Sequence, residues 1–187
     1  MPSNNLAIIA SAGSGKSTSI IEDALKNHSK RILITTFTIE GTEELKRIML
    51  AKHGAIPKNV SIMSWMSFLF QECIRPYQLA AFDCVISKPF FVQGRSTRGI
   101  SKTAKHYYLC SNNDIYSDKL SEFAVYCDEL TKGCVVSRLS NVFDHIYCDE
   151  FQDFAGYDFN LVEALLRTQT QINIVTDPRQ ATYSTNE

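Results

Sequence analysis

The feature that most constrains the fold is a glycine-rich stretch near the start of the chain, 10–17 (ASAGSGKS). It follows a short apolar run at 6–9 and precedes a segment of helical character at 18–28. Strand, tight loop and helix in this order are the setting of a phosphate-binding loop. Gly13 and Gly15 allow positive φ angles, so that backbone N–H groups can face an anion. The pattern predicts a nucleotide site.

Each part of this loop has an expected role. Lys16 would reach the β- and γ-phosphates, and the Ser17 hydroxyl would sit on Mg²⁺. The start of the following helix adds unpaired N–H donors and a positive dipole end. The predicted nucleotide contacts are Ala10, Ser11, Ala12, Gly13, Ser14, Gly15, Lys16, Ser17 and Thr18. We expect the Lys16 side chain to face solvent when no nucleotide is bound. The common pattern G-x-x-x-x-G-K-[ST] has glycine where this chain has Ala10.

A pair of acidic residues supplies the second half of the predicted site. The apolar run 145–148 leads directly into Asp149 and Glu150. Asp149 would hold Mg²⁺, directly or through water, and Glu150 would orient and deprotonate an attacking water. An Asp-Glu pair alone is a weak signal, but after a strand and downstream of a phosphate loop it is a strong one.

Five short apolar runs predict the fold class. They lie near 6–10, 31–36, 60–63, 145–149 and 171–176. Continuous apolar runs are typical of parallel strands buried on both faces, so we expect a three-layer α/β domain with a parallel sheet. The ligand should lie at the C-terminal ends of the strands.

The stretch 75–140 is predicted to be a small insertion subdomain between 1–74 and 141–187. Its first part, 75–108, carries basic and aromatic residues and a single acidic one, Asp83. The basic residues are Arg75, Lys88, Arg95, Arg98, Lys102 and Lys105, and the aromatic residues are Tyr77, Phe82, Phe90, Phe91, Tyr107 and Tyr108. Charges and rings together are typical of a surface for single-stranded nucleic acid. The alternative is a solvated insertion whose aromatic residues form a core of their own.

Composition excludes several classes of protein. The 187 residues are 44% hydrophobic and 21% charged, which allows a buried core. The net charge is −1, so any nucleic-acid surface must be local. Six cysteines have no C-x-x-C spacing, which disfavours zinc and suggests the reduced thiols of a cytoplasmic protein. The first apolar run leads straight into the glycine loop, so it is predicted to be a core strand rather than a signal peptide.

Three further motifs accompany the phosphate loop: 36–38 (TFT), 149–153 (DEFQD) and 177–183 (DPRQATY). In order and spacing, the four motifs resemble the first RecA-like domain of UvrD/Rep-type superfamily 1 DNA helicases, a P-loop NTPase fold. The last two are much more specific than a phosphate loop, and the family's loop commonly carries alanine where Ala10 stands. The resemblance covers most of 6–70 and 141–187, whereas 71–140 matches the family's insertion domain only in position.

The resemblance implies ATP and Mg²⁺ as cofactors and single-stranded DNA as a partner. By position, it implies that the catalytic residues are Lys16, Asp149, Glu150 and Gln180, that Mg²⁺ is held by Ser17 and Asp149, and that Gln152 and Gln180 sense the γ-phosphate. The residues implied along the DNA are Phe37, Thr38, Ser64, Trp65 and Tyr183. The family's activity is that of an ATP-dependent DNA helicase or translocase.

Some positions depart from the family's pattern. After Thr38 the chain reads 39–42 (IEGT) where the family usually has Asn-Lys-Ala-Ala, so that Glu40 places an acid where the family has a base. Thr176 replaces a glycine that usually precedes the aspartate. Trp65 either stacks on a base or packs beneath its helix. The family's adenine-reading glutamine has no counterpart ahead of the loop.

The family works with two RecA-like domains, and the second supplies arginines that stabilise charge on the γ-phosphate. We therefore expect the 187 residues to be the ATP-binding half of a motor, weak alone, with a second RecA-like domain in cis or in trans. The alternative is a single-domain, nucleotide-dependent binding module that holds a protein or nucleic acid without unwinding. A small kinase is disfavoured, because a kinase needs no sensor such as Gln152 and the run 177–183.

Overall fold

The computed structural model describes residues 5–11, 15–177 and 179. The chain forms two compact units: the sheet unit, Met1–Trp65 with Ser140–Glu187, and the inserted unit, Met66–Leu139. The strands are β1 (Leu6–Ile9), β2 (Ile32–Thr36), β3 (Val60–Ser64), β4 (Pro89–Phe90), β5 (Ile115–Tyr116), β6 (His145–Cys148) and β7 (Gln171–Thr176). The α-helices are α1 (Lys16–Lys26), α2 (Ile39–His53), α3 (Trp65–Phe68), α4 (Gln78–Ala81), α5 (Lys105–Tyr108), α6 (Leu120–Leu130), α7 (Cys134–Val142) and α8 (Tyr157–Leu166). A π-helical segment spans Leu69–Ile74, and 3₁₀ turns span Ser117–Lys119 and Phe151–Asp153.

The sheet unit contains a five-stranded sheet in the order β1-β7-β6-β2-β3. Every neighbouring pair of these strands is parallel. The predicted α/β fold with a parallel sheet of five strands is therefore confirmed. Because the strands are parallel, the residues that follow β1, β2, β3, β6 and β7 meet at one edge of the sheet.

Both faces of this sheet are buried. Leu33, Ile146 and Ile172 are in register across β2, β6 and β7, and each is at most 1% exposed. Successive strand residues point to opposite faces, so Ile34 and its neighbours line the other face. There they join a core that includes Ile21 of α1 and Met49 of α2. Helices α1 and α2 thus cover one face, and the apolar strand residues of the opposite face are buried as well, as a three-layer domain requires.

The face that carries Ile34 also holds a buried polar group, His145 at the start of β6. Its side chain is 1% exposed and stacks on Tyr147, with ring centroids 4.0 Å apart. The Tyr147 hydroxyl donates to Asp23 of α1 at 2.5 Å. Burial lowers the pKa of His145 from 6.5 to about 4, the charge of Lys30 lowers it further, and Asn173 and Asp23 oppose the shift. His145 is therefore neutral in the fold at neutral pH.

The burial of His145 predicts a loss of stability in acid. Since its pKa in the fold lies below its ordinary value, the unfolded chain takes up the proton first as the pH falls. Neutral His145 makes its full contribution to the free energy of unfolding above about pH 6.5. This contribution, about 3 kcal/mol, is lost as the pH falls to about 4. Urea unfolding at pH 7.5 and 4.5 measures it. The loss should shrink in His145→Asn and persist in His53→Asn, a control at an exposed histidine; an undiminished loss in His145→Asn would refute this origin.

The inserted unit has an aromatic core of its own. Tyr108 and Phe123 are at most 1% exposed, and Phe82 stacks on Phe123 at 5.7 Å between ring centroids. For these rings the geometry supports the alternative of a small internal core. Phe90 and Phe91, by contrast, are 47% and 68% exposed.

Several basic residues of the inserted unit are exposed, and one of them, Lys102, is held in an ion pair. Lys102 forms an ion pair with Glu122 of α6, with Nζ and Oε1 2.6 Å apart. Lys88, Arg98 and Lys105 are exposed.

All six cysteines of the chain are free thiols. No helix in the described ranges is long and apolar enough to cross a membrane.

Candidate nucleotide and nucleic-acid site

The glycine-rich loop connects β1 to α1 at the C-terminal edge of the sheet. The Ala10 N–H donates to the Thr176 carbonyl of β7 at 3.1 Å, and Ser11 is exposed. Gly15 is the N-cap of α1 with φ of +80°, a conformation that side-chain-bearing residues rarely adopt. Lys16, Ser17 and Thr18 follow in the first turn of α1. Ala12, Gly13 and Ser14 lie outside the described residues.

The Lys16 ammonium is buried at the N-terminus of α1. Its Nζ has no hydrogen-bond partner among the residues that the structure describes. The expectation that this side chain faces solvent is therefore wrong, because Nζ is enclosed at the sheet edge. Burying a charged group without a partner costs free energy. An anion beside Nζ would remove that cost, and the start of a helix favours the same charge.

Ser17 meets Asp149, although the two residues are 132 positions apart in the sequence. The Ser17 hydroxyl donates to Asp149 Oδ2 at 3.3 Å. Asp149 directly follows β6, and its N–H donates to the Thr35 carbonyl of β2 at 2.8 Å. The parallel sheet thus brings the Ser17 hydroxyl and the Asp149 carboxylate together, although they are far apart in the sequence.

The Ser17 and Asp149 oxygens suit Mg²⁺. Mg²⁺ prefers oxygen ligands at about 2.0–2.1 Å in octahedral geometry, which places neighbouring ligands about 3 Å apart. It is usually held by one or two carboxylates together with water and phosphate oxygens. In the described ranges, no three or more His, Cys, Asp or Glu side chains form a metal cage. A hydroxyl and a carboxylate are a usual protein contribution to a Mg²⁺ ion that also binds phosphate oxygens.

Asp149 is nearly enclosed, with 3% of its surface exposed. Burial raises the pKa of its carboxyl, and the nearby charge of Glu150 raises it further. The Glu150 N–H, the Lys16 charge and the Ser17 hydroxyl oppose that shift. A carboxylate taken out of water in this way is stabilised by a bound cation.

Glu150 and Gln152 form a short network beside this pair. Glu150 has φ of +55°, and its N–H donates to Asp149 Oδ1 at 3.0 Å. The Gln152 Nε2 donates to the Glu150 carboxylate. Gln152 Oε1 accepts from the Thr176 hydroxyl at 3.1 Å and from the Asp177 N–H at 3.0 Å. The network connects the residues after β6 to the end of β7.

An aromatic group lies in the same unit. Phe37, directly after β2, is 42% exposed, and its ring centroid is 6.2 Å from that of Phe154. Trp65 is 2% exposed and packs on Phe154 at 4.5 Å. Its Nε1 donates to Asp158 of α8 at 2.6 Å. The geometry supports the packing alternative for Trp65 and leaves Phe37 as the exposed ring.

Thr38 and Gly41 determine how α2 starts beside Phe37. The Thr38 hydroxyl caps the helix by accepting from the Gly41 N–H at 3.0 Å. A Cβ at Gly41 would lie 2.9 Å from Thr36 Oγ1 and 3.0 Å from Thr38 Oγ1. This close approach explains why position 41 is glycine, where the family that the sequence resembles usually has alanine. Ser64, at the end of β3, pairs in register with Thr36 and is 8% exposed.

Comparison with known proteins adds to this geometry. Residues 110–186 match the family model of the UvrD/REP helicase N-terminal domain. The resemblance predicted from the motifs is confirmed. No curated protein gives a significant match. The family match indicates a helicase-type ATP-binding function, and at the level of the family it implies ATP-dependent helicase activity, use of ATP and Mg²⁺, and nucleic-acid binding.

The stretch matched to the UvrD/REP domain contains Asp149, Glu150 and Gln152. It also contains Gln180 and Tyr183, two predicted site residues that lie outside the described residues. The phosphate loop precedes the matched stretch, and its assignment stands on its sequence pattern and on the contact between Ser17 and Asp149.

Three residues at this edge were not predicted as site residues: Phe154, Asp158 and Thr176. The aromatic density of 151–159 was the available signal for Phe154. Thr176 was visible as a departure from the UvrD-type pattern, but not as a hydrogen-bond donor. No sequence signal connected Asp158 to Trp65.

Proposed function

We propose that this chain is the ATP-binding part of a UvrD-type motor that couples ATP hydrolysis to movement along single-stranded DNA. The observation that carries the proposal is the contact of Ser17 with Asp149 beside the buried Lys16 ammonium. A cation, a hydroxyl and a carboxylate at the N-terminus of a helix form a setting for a magnesium nucleotide.

In the proposed reaction, Lys16 and the first N–H groups of α1 bind the β- and γ-phosphates of ATP. Ser17 and Asp149 would hold Mg²⁺, which when bound neutralises charge on the phosphates. Glu150 orients a water molecule and takes its proton as the oxygen bonds to the γ-phosphorus, while the bond to the ADP oxygen breaks. We expect Gln152, which is hydrogen-bonded to Glu150, to respond to the γ-phosphate.

We expect the remaining stabilisation of the γ-phosphate from a second RecA-like domain, in cis or in trans. Arginines supplied in this way accelerate comparable phosphoryl transfers about 10³–10⁵-fold. Without that second domain, the 187 residues should therefore bind Mg-ATP but hydrolyse it slowly.

For the DNA, the exposed ring of Phe37 and the Thr38 helix cap support a contact at the C-terminal edge of the sheet. Base stacking on such rings is tolerant of sequence and is worth about 1–3 kcal/mol per base. The Asp149 N–H donates to the Thr35 carbonyl of β2, the strand that ends beside Phe37. A short path thus connects the proposed ATP site with the proposed DNA contact.

Charge reversal on the inserted unit tests the nucleic-acid part of the proposal. Lys88, Arg98 and Lys105 are exposed, and we expect them to contact phosphates. Changing all three to glutamate should weaken binding of fluorescent single-stranded DNA. The slope of log affinity against log salt should become shallower by about 0.7 per lost contact. Titrations at several salt concentrations measure both effects.

A matched triple change separates local contacts from net charge. Lys26, Lys58 and Lys132 are also exposed, and their change to glutamate alters the net charge by the same amount. This control should keep the parent's salt slope. If both triple variants keep that slope while Mg-ATP still binds, the chain is better explained as a nucleotide-dependent module with a protein partner.

A further inference from the structure

We infer that Thr176 is a positioning residue, whose hydroxyl anchors the Gln152 side-chain amide and, through it, the Glu150 carboxylate. The Thr176 hydroxyl donates to Gln152 Oε1 at 3.1 Å. On its other end the same amide donates from Nε2 to Glu150. The inference rests on the proposed function only for the role of Glu150.

Donor and acceptor chemistry determines which end of the Gln152 amide faces β7 and which end faces Glu150. A glutamine amide has an acceptor end and a donor end, and an ionised carboxylate can only accept. Gln152 Oε1 therefore suits the two donors at the end of β7, the Thr176 hydroxyl and the Asp177 N–H. The reversed amide would turn its N–H groups toward the Asp177 N–H and its oxygen toward the Glu150 carboxylate. Both contacts would be repulsive.

Thr176 also touches the nucleotide loop through its backbone. Its carbonyl accepts from the Ala10 N–H at 3.1 Å, and Ile9 is its partner in register on β1. One residue thus holds the start of the phosphate loop by its carbonyl and Gln152 by its hydroxyl. The Asp177 carboxylate accepts from the Arg179 N–H at 3.1 Å, so the backbone after Thr176 is also bonded.

This hydroxyl distinguishes the chain from the pattern that it resembles. A glycine at this position would leave the Asp177 N–H as the donor from the end of β7 to Gln152 Oε1. The amide would then lose one of the two bonds that hold its oxygen. Thr176 thus holds Gln152 against Glu150 even before a nucleotide arrives.

Nuclear magnetic resonance of the whole chain without nucleotide tests this role. The side-chain amide signals of Gln152, assigned with Gln152→Ala, are followed in Thr176→Val, which keeps the shape but removes the donor. Exchange of these amide hydrogens with water should rise about two- to tenfold, as expected for the loss of one neutral hydrogen bond. Thr176→Ser should restore the parent rate. Thr35→Val is the matched control, because the buried Thr35 hydroxyl has no hydrogen-bond partner in the described ranges.

Each outcome decides the inference. Parent-like exchange in Thr176→Val overturns it, as does a Thr176→Ser variant that behaves like Thr176→Val, or an equal change in Thr35→Val. A separate titration of the parent with Mg-ATP distinguishes this failure from failure of the proposed function. Absence of Mg-ATP binding would refute that function and leave the measured amide exchange of Gln152 unaffected.

Discussion

Replacing Lys16 by alanine is expected to remove Mg-ATP binding while the sheet unit stays folded. The ammonium group offers three donors, and hydrogen bonds to charged groups are worth about 1.5–3 kcal/mol each. Loss of the group should therefore weaken binding about 100-fold or more. The free energy of unfolding should stay equal or rise, because Nζ is buried without a partner among the described residues. Calorimetric titration and urea unfolding measure the two quantities.

Two variants control for shape and for charge. Lys16→Met keeps an unbranched, apolar side chain and should fail to bind in the same way as Lys16→Ala. Lys26→Ala removes a lysine from the last turn of the same helix, at an exposed position, and should bind Mg-ATP like the parent. If Lys16→Ala binds Mg-ATP with the parent's affinity, the assignment of the phosphate loop is wrong.

Changing Glu150 to glutamine is expected to slow ATP hydrolysis about 10²–10⁴-fold, the usual contribution of a positioned general base. Glutamine has the same shape but cannot take the proton of the attacking water. It keeps an oxygen that can accept from Gln152 Nε2, so the network beside β7 should persist. Mg-ATP affinity should therefore stay within about threefold of the parent.

Single-turnover hydrolysis, with the chain in excess over ATP, measures this loss even when the basal rate is low. Glu163→Gln, at an exposed carboxylate paired with Arg167, makes the same chemical change away from the site and should hydrolyse at the parent rate. A Glu150→Gln variant that hydrolyses ATP at the parent rate would exclude Glu150 as the base.

The strands and the phosphate loop could be predicted because their signals are local. Buried parallel strands need continuous apolar runs, and the five predicted runs coincide with β1, β2, β3, β6 and β7. Phosphate binding needs glycine, lysine and serine at fixed spacing, which made 10–17 visible in the same way. Side-chain environments were less accessible. Lys16 was expected in solvent, yet its Nζ is buried.

Trp65 and the rings of the inserted unit show the same limit. Each could stack on a base or join a core, and composition does not distinguish the two. Trp65 packs on Phe154 and bonds to Asp158, and Tyr108 packs on Phe123. Trp65 lies 93 positions from Asp158, and Tyr108 and Phe123 lie on different helices, so no short spacing in the sequence revealed these partners.

The sequence by itself determined which chemical groups this protein can bring to a nucleotide: a glycine loop with Lys16 and Ser17, and two carboxylates after a strand. Only the tertiary structure decided which of these groups meet. Ser17 reaches Asp149 across 132 positions, and the Thr176 hydroxyl reaches Gln152, because the parallel order β1-β7-β6-β2 brings the ends of distant strands to one edge. Residues that are close in the sequence can be recognised together as a motif. Contacts between distant residues depend on the strand order, which is set by the packing of the whole sheet unit.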